Sequence, residues 1–571
     1  MPTDDDSLQR LAALEKKVAR LEQELTGARL SAQRAAVQRA LMDERLLALE
    51  RNRLFRLWNK IYRAAAGLYS RIGTGDRYGG LSDLRTPGDY ERSVNREQHD
   101  LEAEDHCGSM ARWRSQPLIS VLLKDDGAGS ADSLRSVFAQ CYPHWELCLS
   151  TQLKSTLRAE IESAPENTGK RIVENPTAEY RLVLHAGDRL SPHALYFYAQ
   201  ALQQDDSLAM VYADEDCIDT DGRRSSPMFK PGWSPELLQS TMYLGRAVLY
   251  RGDNLNRPWD HARQLAQQNL PVHHVPRVLY HRAASTPLEI TFSYTAPSDG
   301  HLGIIICSRQ VRQLRQCLEA IRKTAAIPTD LLVVHHLDTG TGDELRQCVE
   351  QFGGTWIPYR GPFDFARMNN LAAAKASAPH LLFLNDDVIV QQPGWDTAFA
   401  ATLSRAEIGI AGAILQYPTG AIQHAGVVTG MGDAAGHCGR FQMSSELWPW
   451  LRMTRDVTAV TGAMLGIRSD LFQRLGGFDE AFPVNYNDVD LCLRVRQAGL
   501  RVVCLNVGEV VHRESQTRIG GTRHDERETL YKRWHKILAH PDEFYSPHLA
   551  PTERIALSSE SPGRNPLKDL A

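Results

Sequence analysis

Short apolar runs alternate with amphipathic stretches along two parts of the chain. The runs have the length of buried strands, and the stretches between them carry apolar residues at helical spacing. Strand-like runs occupy residues 118–123, 145–149 and 181–184 in the first part, and residues 303–306, 331–334 and 381–384 in the second. Helix-like stretches include residues 133–140 and the series Leu314, Leu318 and Ile321. This alternation predicts an α/β fold of parallel sheets with helices on both faces.

The second series begins about two hundred residues after the first, which predicts a duplicated domain. We therefore expect tandem α/β domains at residues 117–282 and 302–550. Residues 283–301 are rich in Pro, Ser, Thr and Gly, so they are predicted to be a linker. Residues 551–571 are predicted to be a disordered tail.

Residues 1–50, ahead of these domains, have a helical pattern. Apolar residues follow spacings of three and four with charged residues between them, as in a short coiled coil. The members of this seam are Leu11, Leu14, Val18, Leu21, Leu25 and Ala28. Two interpretations stay open: a homo-oligomer formed through residues 8–50, and a lone surface helix.

Residues 51–116 are predicted to be a basic amphipathic helix followed by a linker. Between residues 51 and 72, Leu, Trp, Ile and Tyr recur at helical spacing, and the charged residues are Arg and Lys without an acid among them. Such a helix can lie on an anionic membrane surface. It can equally pack on its own protein, and both alternatives stay open.

The composition restricts the class of protein. A chain of 571 residues with a formal net charge of -4 and 42% hydrophobic residues is typical of a globular protein of two or more domains. There is no basic excess to indicate a nucleic-acid partner. Ten scattered cysteines without a C-x-x-C pair are typical of reduced thiols. An acidic start and the lack of a long apolar run predict a cytoplasmic protein, with the inner face of the cytoplasmic membrane as an alternative position.

The apolar run that begins at His380 ends in Asn385, Asp386 and Asp387. Carboxylates at the carboxyl end of a buried strand lie where α/β sheets open their ligand crevice, and two adjacent acids can hold a hard divalent cation against phosphate oxygens. Asp and Asn are also ordinary turn residues, so a strand that runs into a solvated turn is the alternative.

Further stretches of the same part of the chain accompany this strand end: residues 361–370, 423–426, 460–463, 476–482, 487–494 and 511–515. In this order they closely resemble the family 2 glycosyltransferases of bacterial surface-polysaccharide synthesis, in the branch of rhamnosyltransferases and O-antigen glycosyltransferases. The resemblance covers roughly residues 117 to 550. It implies tandem GT-A domains, a nucleotide-sugar donor, a divalent metal (Mg²⁺ or Mn²⁺) and inversion at the anomeric carbon.

The resemblance also implies roles for individual residues. Asp387 matches the metal ligand, Asn385 an outer contact and Asp386 a contact to the ribose of the nucleotide. Asp488 matches the general base, which accepts the proton of the attacking hydroxyl, and His512 matches the histidine that completes the metal site. By themselves, Asp488 would be a solvated acid at a helix start and His512 a structural histidine.

Other positions fall in stretches that the family places near its substrates. The candidates for the nucleotide are Ser308, Arg309 and Asp364, and those for the acceptor are Trp448, Trp450, Thr461 and Gly462. Arg309 and Asp364 could be ordinary loop residues, and the tryptophans could serve packing instead of stacking on a sugar.

One position departs from the family pattern. After the second strand of residues 302–550, the family has an aspartate that recognises the base of the nucleotide, whereas this chain has His335. Histidine donates and accepts hydrogen bonds differently from aspartate, so the identity of the donor nucleotide is open.

Residues 117–282 have lost most positions that the chemistry needs. His185 and Gly187 stand where Asn385 and Asp387 stand in the other domain, with Asp188 next to them. The segment between residues 251 and 271 is too short for a counterpart of residues 487–494. The acids at 214–216 are interpreted as a solvated loop, and His273, His274 and His281 as structural. We expect a non-catalytic or acceptor-binding domain.

The leading expectation is a glycosyltransferase that adds a sugar to a polysaccharide or lipid-linked glycan, with the possibility of rhamnosyl transfer. Two alternatives are a two-site transferase in which both domains are active, and a catalytically silent scaffold that binds glycans or partner enzymes.

Overall fold

The computed structural model describes residues 87–124, 129–164, 171–253, 258–283, 300–337, 342–432, 434–443, 449–513, 524–553, 555 and 557–558. The predicted coiled coil at 1–50, the basic helix at 51–72 and most of the predicted linker at 283–301 lie outside these residues. Within the described ranges, no helix has both the length and the apolar character to span a membrane.

The first group of elements surrounds one mixed sheet. It comprises α1 Pro87–Ala103, α2 His106–Met110, β1 Ile119–Lys124, α3 Ser130–Phe138, β2 Trp145–Cys148, α4 Thr151–Thr156, α5 Arg158–Glu162, β3 Ile172–Val173, β4 Tyr180–His185, β5 Arg189–Leu190, α6 Ala194–Gln204, β6 Met210–Ile218, β7 Arg224–Met228, α7 Pro235–Ser240, β8 Val248–Arg251, α8 Pro258–Gln267 and β9 Val272–Arg282. The path through the sheet is β3-β2-β1-β4-β8-β6-β9-β5, and β7 pairs with β6.

The second group surrounds another mixed sheet, together with a small four-stranded sheet and a two-stranded sheet. It comprises β10 Leu302–Ser308, α9 Val311–Thr324, β11 Thr329–His336, α10 Gly342–Gln351, β12 Thr355–Tyr359, α11 Phe365–Ala373, β13 His380–Asn385, β14 Val388–Val390, α12 Trp395–Leu403, β15 Ile408–Ala413, β16 Leu415–Gln416, β17 Ile422–His424, β18 Val427–Thr429, β19 Ala435–His437, β20 Arg455–Asp456, β21 Met464–Arg468, α13 Ser469–Arg474, α14 Asn487–Gln497, β22 Arg501–Leu505, β23 Val510–His512 and α15 His524–Leu538. A 3₁₀ turn covers Pro449–Arg452.

Both large sheets follow the same strand order. The second runs β12-β11-β10-β13-β21-β15-β22-β20, so β3, β2, β1, β4, β8, β6 and β9 have counterparts in β12, β11, β10, β13, β21, β15 and β22. The first four strands of each path are parallel, whereas β8 and β21 run antiparallel to both of their neighbours. The α/β class is confirmed, but the prediction of purely parallel sheets is wrong, because β8 and β21 reverse direction in mid-sheet.

Apolar side chains explain why these strands lie inside. Along β13, the residues from His380 to Leu384 are all buried, and the strand becomes half-buried only at Asn385. A strand with helices on both faces buries every position, which is why the sequence shows a continuous apolar run here instead of an alternating one. The first polar side chains after such a run therefore emerge at the sheet edge.

The acids at 214–216 form a buried ionic network on β6 and not the predicted solvated loop. All three are 0% exposed. Asp214 accepts from His274 Nε2 at 2.9 Å, Glu215 contacts Lys230 Nζ at 3.1 Å, and Asp216 contacts His281 Nδ1 at 2.6 Å. Buried carboxylates need such partners because an unpaired charge is costly to desolvate. The same contacts give His274 and His281 a structural role.

Two predicted boundaries are also corrected. Residues 87–110, expected to belong to a linker, form α1 and α2, and Tyr90 OH donates to Asp216 Oδ2 at 2.7 Å. The described part of the predicted tail packs as well: Arg440 contacts Glu553 Oε2 at 3.3 Å, and Ile555 is buried. A short polar segment becomes ordered when partners elsewhere satisfy its charges, and local composition does not reveal those partners.

A buried polar contact connects α7, in the first group of elements, with β20, in the second. Ser234 caps the start of α7 and donates from Oγ to Asp456 Oδ2 at 2.7 Å on β20. Arg501 Nη1 reaches the other oxygen of Asp456 at 2.8 Å, and Glu236 bonds to both Arg501 and Arg405. Ser234 and Asp456 are 0% and 2% exposed, so the contact is shielded from water.

Candidate active site

The parallel strands β10, β11 and β13 bring three candidate residues to one sheet edge. Cys307 pairs with Asn385, and the next residue, Ser308, pairs with His335. Because these strands run in the same direction, their carboxyl ends share one edge. The tertiary structure thus brings together three stretches that are well separated along the chain.

Asp387 and His512 face each other just beyond this edge. The short strands β14 and β23 are antiparallel, and Val388 pairs directly with His512. As a result, His512 Nε2 lies 3.1 Å from Asp387 Oδ1, and Asn385 Nδ2 donates to the same nitrogen at 3.3 Å. Asp387 is only 4% exposed.

Gln423 on β17 fixes the orientation of the His512 ring. Its Oε1 lies 2.6 Å from His512 Nδ1 and accepts the ring N–H. The proton therefore resides on Nδ1, and the lone pair of Nε2 points towards the Asp387 carboxylate. A nitrogen lone pair and a carboxylate oxygen in contact are stabilised by a proton or a metal ion between them.

Asp386 occupies a different environment from Asp387. Its Oδ2 accepts from Ser308 Oγ at 2.6 Å, and Ser308 Oγ also accepts from Gln310 N at 3.2 Å. The pKa of Asp386 is raised to about 6, chiefly by burial and also by the Asp387 charge, against the opposing effects of Ser308, His512 and Arg309. Arg309 itself is exposed.

Asp488 lies in the first turn of α14. Its Oδ2 accepts from Gly462 N at 2.7 Å, and its Oδ1 accepts from Val489 N at 2.8 Å. The helix begins after Tyr486, a non-glycine residue with φ +61°. Such a conformation costs on the order of 1–3 kcal/mol, so the turn that presents Asp488 is held at an energetic cost.

Residues 461–463 connect Asp488 to the metal side of the site. Asn385 N donates to Ala463 O at 3.0 Å, and Ala463 N donates to Thr461 Oγ1 at 3.3 Å. Gly462 N, between them, bonds to Asp488. The strand end that carries Asn385 and the helix start that carries Asp488 are therefore attached to the same three-residue segment.

His424 bonds to this segment through the backbone of Thr461. It is not among the residues that the sequence predicts for the site. Its Nε2 accepts from Thr461 N at 3.4 Å, so Nδ1 carries the proton and donates to His437 Nδ1 at 2.9 Å. The ring is 0% exposed, and burial, followed by the neighbouring His437, lowers its pKa well below the usual value. Residues 423–426 carry part of the family resemblance, but no local sequence signal indicates this role, because the partners of His424 are distant along the chain.

Several predicted site residues serve the framework. His335 is 1% exposed and accepts from Trp356 Nε1 at 3.3 Å, so the ring belongs to the packing of the sheet edge and offers little surface to a base. Asp364 caps α11 by accepting from Arg367 N at 2.8 Å, and burial raises its pKa.

Of the two tryptophans predicted to bind the acceptor, one lies within the described residues. Trp450 is 4% exposed and belongs to the largest hydrophobic cluster. The prediction that it stacks on an acceptor sugar is corrected, because its ring is covered by protein. Trp448 lies outside the described residues.

The equivalent edge of the first sheet lacks this arrangement. Asp188 is 1% exposed, and its Oδ2 contacts Arg246 Nη1 at 2.8 Å and Tyr280 OH at 2.7 Å. A guanidinium thus compensates the carboxylate. Between β8 and β9 the chain forms the helix α8, as it forms α14 between β21 and β22; α8 starts with Pro258, and its first acid is Asp260. That this segment lacks a counterpart of residues 487–494 stays a prediction.

The donor set at Asp387 and His512 fits a hard divalent cation. Among the described residues, no three His, Cys, Asp or Glu side chains converge in a way that would enclose a metal. Mg²⁺ and Mn²⁺ in nucleotide sites commonly take one or two protein ligands and complete their coordination with phosphate oxygens and water. One carboxylate and one oriented imidazole lone pair match that requirement.

Comparison with known proteins places the second group of elements in a family. Residues 299–535 match the family described as "Glycosyltransferase like family 2". O-antigen biosynthesis protein RfbC of Myxococcus xanthus is 30% identical over 78% of this chain and 41% of its own length. The uncharacterized protein y4gI of Sinorhizobium fredii (strain NBRC 101917 / NGR234) is 29% identical over 77% of this chain and 58% of its own length. The chain thus spans about half the length of the curated relatives it matches.

A solved structure of GalNAc-T7 with UDP, GalNAc and Mn²⁺ covers 41% of this chain and 48% of its own, with 12% identity and a TM-score of 0.33. A mannosyltransferase of Pyrobaculum calidifontis with GDP-Man and Mn²⁺ covers 38% of this chain and 59% of its own, with 16% identity and a TM-score of 0.30. The family match coincides with the sheet that carries Asn385, Asp387, Asp488 and His512. The chain therefore contains a domain of the family 2 glycosyltransferases, in residues 299–535.

Proposed function

We propose that this protein is an inverting, metal-dependent glycosyltransferase that moves a sugar from a nucleotide-sugar donor to a polysaccharide or lipid-linked glycan acceptor. The observation that carries the proposal is the connection of two candidate groups through one short segment. The backbone of Asn385, two residues before Asp387, bonds to Ala463, and the Asp488 carboxylate bonds to Gly462. Asp387 in turn faces His512.

Asp387 and His512 would hold the metal, with Asn385 as an outer contact. When bound, a divalent cation supplies Lewis acidity that stabilises the negative charge of the departing diphosphate. Gln423 keeps the His512 lone pair directed at this position. Asp386, with Ser308 beside it, is suited to bind the ribose of the nucleotide through its second carboxylate oxygen.

Asp488 would act as the general base. A carboxylate within hydrogen-bond reach of the attacking hydroxyl accepts its proton as the new glycosidic bond forms. The bonds from Gly462 N and Val489 N fix the carboxylate against rotation. A base that activates the acceptor hydroxyl suits direct displacement at the anomeric carbon, which inverts its configuration.

The name of one relative supports a proposal for the acceptor class. The Myxococcus xanthus relative is named for O-antigen biosynthesis, and we propose surface-polysaccharide synthesis, with rhamnosyl transfer as one form, for this chain as well. The proposed position is the cytoplasm at the inner face of the membrane, with residues 51–72 as the membrane contact and residues 8–50 as the oligomer contact.

Residues 117–282 are proposed to be non-catalytic, because Asp188 is already paired with Arg246 and Tyr280. This argues against a second active site. Residues 302–550 are proposed to be the catalytic domain.

Transfer from a panel of nucleotide sugars, measured with Mg²⁺ or Mn²⁺, tests the assignment. Asp387→Ala and Asp488→Ala should each abolish transfer. Asp470→Ala is a matched control, since Asp470 is also an acid in the first turn of a helix but lies at the surface. Full transfer by either site variant would refute the assignment, and loss of transfer on Asp188→Ala at unchanged stability would favour two active sites.

A further inference from the structure

Two aromatic rings lie stacked at the surface next to the four-stranded sheet β14-β23-β16-β17, which carries His512. The ring centroids of Tyr417 and Phe441 are 5.3 Å apart, and the ring planes differ by 4°. Phe441 is 42% exposed, although it is a large apolar side chain. Arg440 lies over the Phe441 ring with Cζ 4.9 Å from its centre, and its Nε donates to Tyr417 OH at 2.8 Å. Aromatic surface and polar donors are thus presented together.

The backbone at Phe441 is in an unfavourable conformation. Its φ is +64°, in the left-handed region where bulky residues are rare and glycine is comfortable. The conformation is held by the hydrogen bond from Phe441 N to Ile422 O at 2.8 Å. Burial alone does not account for the strain, because 42% of the side chain stays exposed although the ring stacks on Tyr417. A bulky residue held at positive φ with so much of its surface in solvent is a reason to look for a function.

The stacked pair is continuous with the strands that carry the proposed metal site. In the four-stranded sheet β14-β23-β16-β17, Ile422 pairs with Gln416, and Gln416 pairs with Val511, the residue before His512. Neighbouring strands are about 4.8 Å apart, so the Phe441 backbone lies three spacings, or about 14 Å, from that of Val511. A single sugar at the transfer centre would not reach the rings, whereas an oligosaccharide could.

We propose that Tyr417 and Phe441, with Arg440, form a subsite that binds a pyranose of the growing glycan at a distance from the transfer centre. This inference rests on the proposed function, since it assumes a glycan acceptor. The C–H face of a pyranose packs on an aromatic ring, and its hydroxyl groups bond to the phenol and guanidinium at the edge. Such a subsite would favour acceptors that are already several sugars long.

Saturation-transfer NMR with soluble tetrasaccharides of rhamnose, mannose, galactose and N-acetylglucosamine tests the subsite. The full-length wild type should bind at least one of them, and Phe441→Gly and Tyr417→Ala should each weaken that binding at least tenfold. Phe441→Gly has a second use: glycine relaxes the positive φ, so Tm should stay the same or rise. Weaker binding at an unchanged or higher Tm therefore distinguishes a ring that binds ligand from one that stabilises the fold.

Tyr531→Ala, on α15, is the matched control for removal of an exposed aromatic ring and should leave binding unchanged. Binding of UDP, GDP and dTDP with Mn²⁺ is measured in parallel and should not respond to Phe441→Gly. Two outcomes would refute the subsite but not the proposed function. Either the wild type binds a nucleotide but no tetrasaccharide, or Phe441→Gly binds the tetrasaccharide as tightly as the wild type does. A lower Tm in Phe441→Gly would assign the ring to folding and also refute it. If no nucleotide binds to the wild type, the proposed function fails first.

Discussion

His512 turns Nε2 of its ring towards Asp387, with Nε2 and Oδ1 3.1 Å apart, because Gln423 Oε1 bonds to Nδ1 on the opposite side of the ring. His512 lies on β23, and Asp387 immediately precedes Val388, the residue of β14 that pairs with His512, so the strand pairing keeps the two groups close together. The metal affinity of the proposed site should therefore depend on Gln423, which would not contact the metal itself.

Gln423→Leu should weaken Mn²⁺ binding by roughly 10–100-fold, because the imidazole loses the bond that selects its tautomer and orientation. The measurement is a titration of free Mn²⁺ by electron paramagnetic resonance, without any sugar donor. Gln391→Leu is the matched control, since Gln391 bonds to Glu509 at the surface. Unchanged Mn²⁺ affinity in Gln423→Leu would contradict the proposed metal site.

Asp488→Asn should lower kcat by roughly 10²- to 10⁴-fold, because an amide keeps the size of the side chain but cannot accept the proton. Binding of nucleotide and metal should persist, since Asp488 is not among the groups that contact either in the proposed site. Isothermal titration with UDP, GDP and dTDP separates the two effects. Equal losses of binding and turnover would indicate that Asp488 supports the fold of the loop instead.

Asp456→Ala should destabilise the protein by about 3 kcal/mol, because it takes the buried carboxylate away from both Ser234 Oγ and Arg501 Nη1. Ser234→Ala should cost about 1 kcal/mol through the lost helix cap. Denaturant midpoints give both values. The exposed Asp470→Ala should change stability little, and an equally small effect of Asp456→Ala would show that the contact between the two sheets' elements contributes nothing.

Glu97 should make the protein less stable as the pH rises. Burial raises its pKa to about 7 from an ordinary value of 4.5, so the folded state binds a proton that the unfolded state releases. Stability is retained below about pH 4.5 and is lost as the pH rises through 7. Glu97→Gln should therefore raise Tm at pH 8.5 and change it less at pH 5.5. A thermal melt at both values checks this, and a lower Tm at pH 8.5 would mean that the contact with Arg277 outweighs desolvation.

Local patterns predicted much of the framework. The apolar run before Asn385 predicted β13, and the strands and helices around it were found within a few residues of their expected ends. The acids that follow the run lie at the sheet edge, as the polarity change required. Phe441 shows the opposite case, because nothing in its sequence neighbourhood predicts a left-handed backbone or an exposed ring.

The sequence by itself determined the alternation of strands and helices, the duplication of their order and the polar ends of the strands, because these depend on side-chain periodicity over a few residues. Only the tertiary structure decided which polar residues are buried and with what partner. Gln423 and His512 are 89 positions apart, and the acids at 214–216 are paired with His274, Lys230 and Arg224. A charge enters the interior when distant segments converge to compensate it, and that convergence is a property of the whole fold.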